Sequence, residues 1–330
     1  MNKNTFGKKL LIVLLSSSAA LTCGCSGKDN VPDFSYQEQP SASTINLGSN
    51  DSSSDVSGYL LASDKCVINE SDIANDDNMS CNSFLLLNQT DKKVLLCNNP
   101  YNKLYPASIT KILTAYITLK YCNMDDIVTV SHDAANITEE GAKLCGFNEG
   151  DRISVRDLLY SMMVYSGNDA ASALGDFISG SNDEFASLMN EELQKLGAAN
   201  THFTNPSGLH NDNHYTTAYD LYLIFSECIK NSEFKNIINT SSYTAEYEDA
   251  SGNSVSKTFE TTNRFLLGSA NAPEGITVVG GKTGTTSKAG YCLMLYSTDD
   301  MGKDYISIVL GADSGDSLYS QMEYLLGNIN

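Results

Sequence analysis

The sequence predicts an α/β fold: an antiparallel sheet built from both ends of the chain and flanked by helices, with a helical lobe inserted between the two sheet-forming segments. Three observations predict it. Near the start, SFLLLNQTDKKVLLC (83–97) places two apolar runs around a polar turn, the pattern of a hairpin. In the last third, GITVVGGKTGTT (275–286), AGYCLMLYST (289–298) and DYISIVLGA (304–312) are strand-like runs joined by turns short enough for antiparallel pairing. Between these ends, apolar residues recur at helical spacing.

The 330 residues are 41% hydrophobic and carry a formal charge of −19, enough chain for one substantial core. The acidity argues against nucleic acid as a partner, because phosphate recognition needs a basic surface. It does not argue against a small substrate, since a few local cations can dominate one cleft.

Residues 1–24 read as a signal peptide. MNKNTFGKK is a short basic start, and LLIVLLSSSAALTCGC is apolar and then small, too short to span a bilayer comfortably. The ending LTCGCSG resembles a bacterial lipoprotein cleavage site with Cys25 as the lipidated residue. Thr22 and Cys23 stand where such a site usually has Leu and a small residue, so simple secretion is the alternative. Cleavage before Cys25 removes three lysines and no acid, taking the charge from −19 to −22. The expected location is the cell envelope outside the cytoplasm, lipid-anchored to the outer face of the cytoplasmic membrane or else secreted. Residues 25–60, rich in Ser, Asn and Asp, are expected to be a flexible tether, and 61–330 the folded domain.

Nine cysteines contain no C-x-x-C pair, which speaks against a zinc ribbon or a thioredoxin motif. Cys97 and Cys292 sit in apolar runs and read as core residues; a Cys66–Cys81 pair is left open.

Along the middle of the chain, YPASITKILTAYITLKY (105–121) is a helix entered after Pro106. ISVRDLLYSMMVY (153–165) and NDAASALGDFIS (168–179) are two more, with SGN at their junction. Residues 183–196 and 217–230 continue the lobe, expected over about 122–230. GDSLYSQMEYLLGNI (315–329) closes the chain as an amphipathic helix.

Ser-x-x-Lys occurs three times: Ser108–Lys111, Ser232–Lys235 and Ser254–Lys257. Residues i and i+3 share a helix face, so Ser108 and Lys111 can touch. Their segment has apolar residues at 109, 112, 113, 116, 117 and 119, which would lock it in a core. SEFKNIINTSS reads as the frayed end of a helix. SVSKTFETT reads as a strand, where i and i+3 face opposite ways. The second Ser-Gly-Asn, at 251–253, reads as a hairpin turn. Only Ser108 leaves room for a helical lobe before a Ser-Gly-Asn, at Ser166–Asn168, and then a Lys-Thr-Gly, at Lys282–Gly284.

The ordered set SITK, SGN, KTG resembles the serine penicillin-recognising family of D-Ala-D-Ala carboxypeptidases, penicillin-binding proteins and serine β-lactamases. The flanks PASITKILTA, YSGNDAASAL, FTNPSGLH, YTTAYDL and GGKTGTTSKAGYCL resemble the low-molecular-weight D-alanyl-D-alanine carboxypeptidases, from about residue 83 onward. The resemblance implies the β-lactamase/transpeptidase-like fold. It also implies a serine carboxypeptidase that removes the terminal D-alanine from peptidoglycan stem peptides ending in D-Ala-D-Ala, with β-lactams as covalent inhibitors and no cofactor or metal.

Ser108 would be the nucleophile and Lys111 its base, which must be neutral to act. Lowering a lysine from about 10.4 to near 7–8 takes roughly 3 units. Burial and a second cation, Lys282, would both push that way. Ser166 would relay a proton to the departing amine, and Asn168 would hold Lys111 and the substrate amide. Lys282, Thr283 and Gly284 would border the cleft on an edge strand and receive the substrate carboxylate. The N–H groups of Ser108 and Thr285 would form the oxyanion hole, donors worth about 3–4 kcal/mol each. Arg264, in TTNRFLL, aligns loosely with a carboxylate-binding arginine of the family; a surface role is the alternative.

Other readings are weaker. A class A β-lactamase needs a glutamate after the second motif to activate water, yet no Glu lies between Glu192 and Glu227 and no E-x-x-L-N follows Ser166. His210 and His214 lie in a Gly- and Asn-rich loop without H-E-x-x-H and read as surface or cleft-rim residues. A non-catalytic peptidoglycan- or penicillin-binding protein would have to keep every motif side chain while losing turnover. Transpeptidation is the closest alternative, differing only in whether water or an amine attacks the acyl-enzyme.

Overall fold

The computed structural model describes residues 64–329. The signal segment 1–24, Cys25 and the tether 25–60 lie outside the described residues.

Strands β1 (Ser83–Asn88) and β2 (Lys93–Asn98) form the expected hairpin. A 3-10 turn, Ala107–Thr110, leads into α1 (Lys111–Tyr121). Then come β3 (Ile127–Thr129), α2 (His132–Ala135), β4 (Arg152–Ser154) and α3 (Val155–Tyr160). A single π-type turn, Ser161–Tyr165, precedes α4 (Asn168–Ser179), α5 (Asn182–Lys195), α6 (Ala218–Cys228) and α7 (Ser232–Asn239). The chain ends with β5 (Ser242–Glu248), β6 (Ser254–Glu260), β7 (Ile276–Thr286), β8 (Gly290–Asp299), β9 (Asp304–Ala312) and α8 (Gly315–Gly327).

The main sheet has the order β2-β1-β9-β8-β7, antiparallel throughout, so both chain ends build one sheet as expected. All six residues of β1 are buried because both faces of the sheet are covered, which is why its central run Phe84–Leu87 is continuously apolar rather than alternating. On one face Leu86, Leu293, Leu295 and Val309 pack with Met322 and Leu326 of α8. On the other, Leu85, Met294 and Ile308 join the core shared with α1, α4 and α6.

The sequence reading found only part of a second sheet, β3-β4-β5-β6: it covers the β6 strand and the turn before it, but not β3, β4 or β5. Strands β3 and β4 are three residues each, too short to show a period. Strands β5 and β6 bury only alternate residues, such as Ala245, Tyr247 and Phe259, among serines, threonines and glutamates. The lobe expected to be helical at 122–230 therefore carries strands, and a β-hairpin follows it.

The dismissal of Ser232–Lys235 as a frayed end is also corrected. The segment is a helix of its own, α7, capped by Asn231 Oδ1, which accepts from Glu233 and Phe234 N–H. Ser254–Lys257 lies on β6, and Ser251–Asn253 falls in the hairpin turn, as expected. Cys66 and Cys81 are free thiols, so that pairing is not made; Cys97 and Cys292 are buried. No helix among the described residues is long and apolar enough to cross a membrane.

Candidate active site

The nucleophile candidate sits on a tight turn rather than on regular α-helix. In a 3-10 turn the i and i+3 side chains eclipse, and Ser108 Oγ lies 2.9 Å from Lys111 Nζ. The turn is fixed from below, because Ile109, Thr110 and Lys111 are all buried. Lys111 has no exposed surface, yet no carboxylate bonds it. Its Nζ lies 2.7 Å from Asn168 Oδ1 and 2.6 Å from the carbonyl oxygen of Ser207.

That geometry determines which way the protons point. A neutral amine has two N–H groups and one lone pair. Asn168 Oδ1 and Ser207 O can only accept, so they take both N–H groups. The lone pair is left facing the Ser108 hydroxyl. Burial lowers Lys111 from 10.5 to about 7, against weaker opposing effects of Cys145 and Asp169. Of the two causes expected, burial is the one at work, and Lys282 is not among the charges that shift Lys111.

The second motif is positioned by a break between helices. The π-type turn ends at Ser166, whose φ of 73° is left-handed. Gly167 and then α4 follow. Gly167 is required by space, since a Cβ there would lie 2.2 Å from Cys145 Sγ. Asp169 holds the neighbouring loop: its carboxylate accepts from the N–H groups of Cys145, Gly146, Phe147 and Ala170. Asn168 N–H in turn donates to Lys143 O at 2.8 Å.

Strand β7 is the edge of the main sheet, so one of its sides is open to the cleft. Gly284 allows it to pass close to the nucleophile turn: a Cβ there would be 2.8 Å from Pro106 O and 3.0 Å from Ser108 N. Lys282 is buried and donates to Ser166 Oγ and Thr283 O, each at 2.9 Å. Burial, and then the charges of Lys111 and Lys143, push Lys282 well below the ordinary lysine value. Burial at this site therefore works against the positive charge expected on Lys282, which an anion nearby would favour. Thr283 Oγ1 bonds Thr262 Oγ1.

Ser108, Asn168 and Thr285 line a cleft of about 640 Å³, with Lys143 and His210 on its walls. Arg264 is not among the lining residues. Its guanidinium donates to Asp316 at 2.7 Å and lies 4.8 Å from the Tyr319 ring, so of its two readings the structure supports the surface one. The TTNR segment reaches the site through Thr262 instead.

The structure also corrects one histidine. His210 is at the cleft, but His214 is 2% exposed and stacks on Phe203 at 4.7 Å. Sequence reasoning did not find the Ser207 carbonyl, Thr110, Asp169 or Gly208. The segment FTNPSGLH carries the Ser207–Gly208 pair, and its glycine was the available signal: Gly208 has φ +83°, and a Cβ there would lie 1.9 Å from Ala107 O.

The profile of peptidase family S11, D-alanyl-D-alanine carboxypeptidase, matches residues 70–314. The chain is 33% identical over 251 residues to the D-alanyl-D-alanine carboxypeptidase DacF of Bacillus subtilis, covering 74% of this chain and 60% of that protein. It is 34% identical over 253 residues to DacC of Escherichia coli K12, again covering 74% and 60%. The chain thus spans about 60% of the length of these curated relatives. Among solved structures, the Streptomyces K15 DD-transpeptidase superposes with a TM-score of 0.71 at 29% identity, covering 77% of this chain and 98% of that one.

Proposed function

The chain belongs to peptidase family S11, the D-alanyl-D-alanine carboxypeptidases, and on that premise we propose that it releases the terminal D-alanine from peptidoglycan stem peptides through an acyl-enzyme on Ser108. The observation that carries this reading is the environment of Lys111: a buried amine, lowered to about 7, whose lone pair faces the Ser108 hydroxyl.

In this reading the stem peptide lies along the open edge of β7. Its terminal carboxylate approaches Lys282 and Thr283. The negative charge favours protonated Lys282, and that cation in turn favours neutral Lys111. Ser108 Oγ attacks the carbonyl carbon of the penultimate D-Ala while its proton passes to Lys111 Nζ. The oxyanion is held by the N–H groups of Ser108 and Thr285. The amine of the departing D-Ala takes a proton through Ser166 Oγ, the C–N bond breaks, and D-Ala leaves. Water then attacks the acyl-enzyme and frees Ser108. A β-lactam would acylate Ser108 in the same way, and no E-x-x-L-N segment follows the second motif to supply the glutamate that speeds hydrolysis of that adduct.

Labelling with a fluorescent penicillin tests the assignment. Wild type is expected to label and Ser108→Ala not to; unchanged labelling in that variant removes Ser108 from the mechanism. Release of D-Ala from a pentapeptide then distinguishes a working carboxypeptidase from a binder. The K15 neighbour is named a DD-transpeptidase, which favours transpeptidation as the second reading. Product analysis with an added acceptor amine separates water from amine as the attacking group.

The domain plan extends the proposal. Residues 1–24 would be a signal peptide, Cys25 the lipid attachment site, 25–60 a tether, and 61–330 the catalytic domain acting at the cell envelope. Cys25→Ala is expected to move the protein from the detergent to the aqueous phase on Triton partitioning; unchanged partitioning refutes the lipid anchor.

A further inference from the structure

Ala107, immediately before the nucleophile candidate, has φ +48°, a left-handed conformation uncommon for a residue with a Cβ. Its carbonyl oxygen accepts a 2.8 Å hydrogen bond from Thr110 Oγ1. Thr110 Oγ1 lies 2.8 Å from His214 Nε2. On the far side of that ring, Nδ1 accepts from the Thr204 N–H at 3.0 Å.

These four groups fix each other's directions. A backbone N–H can only donate and a carbonyl can only accept. With Nδ1 an acceptor, the neutral ring carries its proton on Nε2 and donates it to Thr110 Oγ1. Thr110 then uses its single proton for Ala107 O. Thr110 and His214 are 0% and 2% exposed, so water does not compete for these bonds. Gly208 closes the other side of the carbonyl, where a Cβ would be 1.9 Å from Ala107 O.

The Ala107–Ser108 peptide is planar and trans, so its N–H points opposite to its C=O. Holding the carbonyl therefore holds the N–H of Ser108. We infer that the buried chain from Thr204 N–H through His214 and Thr110 to the Ala107 carbonyl aims the Ser108 N–H at the position of the developing oxyanion, which makes His214 and Thr110 positioning residues for acylation. The inference rests on the acyl-enzyme reading above. Burial, followed by the charges of His202, Lys111 and His210, holds His214 down at about 3, so the ring keeps its Nδ1 acceptor near neutral pH.

The test is the acylation rate constant of the full chain with a fluorescent penicillin, read beside the non-covalent affinity and the pH profile. Thr110→Val and His214→Phe are expected to slow acylation by about 10-fold to 100-fold, as weakening one oxyanion donor should. Non-covalent affinity and the acid limb set by Lys111 should not move. Thr110→Ser and His214→Gln keep the required donors and should acylate at close to the wild-type rate. The double variant Thr110→Val/His214→Phe should be no slower than the slower single variant, because the two residues act in series.

Wild-type acylation by folded Thr110→Val, or a Thr110→Ser rate as low as that of Thr110→Val, overturns the inference. So do single losses that multiply in the double variant. If the Val or Phe variant does not fold, His214→Asn decides: it can still receive the Thr204 N–H but cannot reach Thr110. Slow acylation by folded His214→Asn supports the chain, and a wild-type rate refutes it. Labelling that persists in Ser108→Ala would instead overturn the acyl-enzyme reading itself.

Discussion

Lys111 Nζ faces two oxygens that only accept and one hydroxyl that can donate, and this count makes the neutral amine a base directed at Ser108. Its lowered value predicts the pH profile. Below about 7 the amine is protonated and cannot take the serine proton; above it the lone pair is available. Penicillin acylation should therefore rise with pH through about 7 and then level. A profile flat from pH 5 to 9 would count against Lys111 as the base. Lys111→Ala should lower the rate by about 10²- to 10⁴-fold. Asp169 works differently, since its carboxylate receives four backbone N–H groups and so holds the loop beside the second motif. Asp169→Asn turns an NH₂ group toward some of those donors. Denaturant unfolding should show a loss of about 2 kcal/mol, and an unchanged midpoint would mean the loop is held by other contacts.

At the level of elements, the site is built from two interruptions of regular structure and one sheet edge. Ser108 is on a 3-10 turn ahead of α1, Ser166 is the left-handed residue between a π-type turn and α4, and Gly284 is on an edge strand. Each interruption lets a backbone or side chain come closer than a regular element would permit. The contact between Gly167 and Cys145 gives a direct test. Gly167→Ala pushes a Cβ to 2.2 Å from Cys145 Sγ, so it should lower both stability and acylation. Cys145→Ala removes that sulfur and should restore much of both in the double variant, although alone it leaves a small cavity. Independent, additive losses would show that the clash is not the reason for glycine there. Helix α7 shows the limit of reading elements by propensity: NIINT is β-branched and polar, but Asn231 caps the helix and Phe234, Ile237 and Ile238 bury one face of it.

Over the whole molecule, the three motifs depend on a sheet closed by residues that lie after all of them. Strand β9 stands between β1 and β8, pairing Ile308 with both Leu85 and Met294. Without it the N-terminal hairpin has no neighbour in the sheet and both cores lose a wall. A chain ending at residue 300 keeps every motif residue from Ser108 to Thr285. It should nevertheless fail to bind fluorescent penicillin and should lack a cooperative unfolding transition. Penicillin labelling by that truncated chain would show that the site does not need the closed sheet.

What could be read from the sequence was whatever depends on local spacing. The i, i+3 relation of Ser108 and Lys111 and the alternation of apolar runs with short turns are properties of short segments, and the structure keeps both, with Ser108 on a 3-10 turn at the head of α1 rather than within the helix. Arg264 and His214 could not be assigned this way. Whether the arginine meets a substrate or Asp316, and whether the histidine is at a rim or beneath the nucleophile turn, depends on partners 52 and 104 residues away along the chain. The same holds for the charge on Lys111 and Lys282: a side chain's type sets its ordinary proton affinity, but only tertiary packing decides whether water can reach it, and exclusion of water is what shifts these two amines.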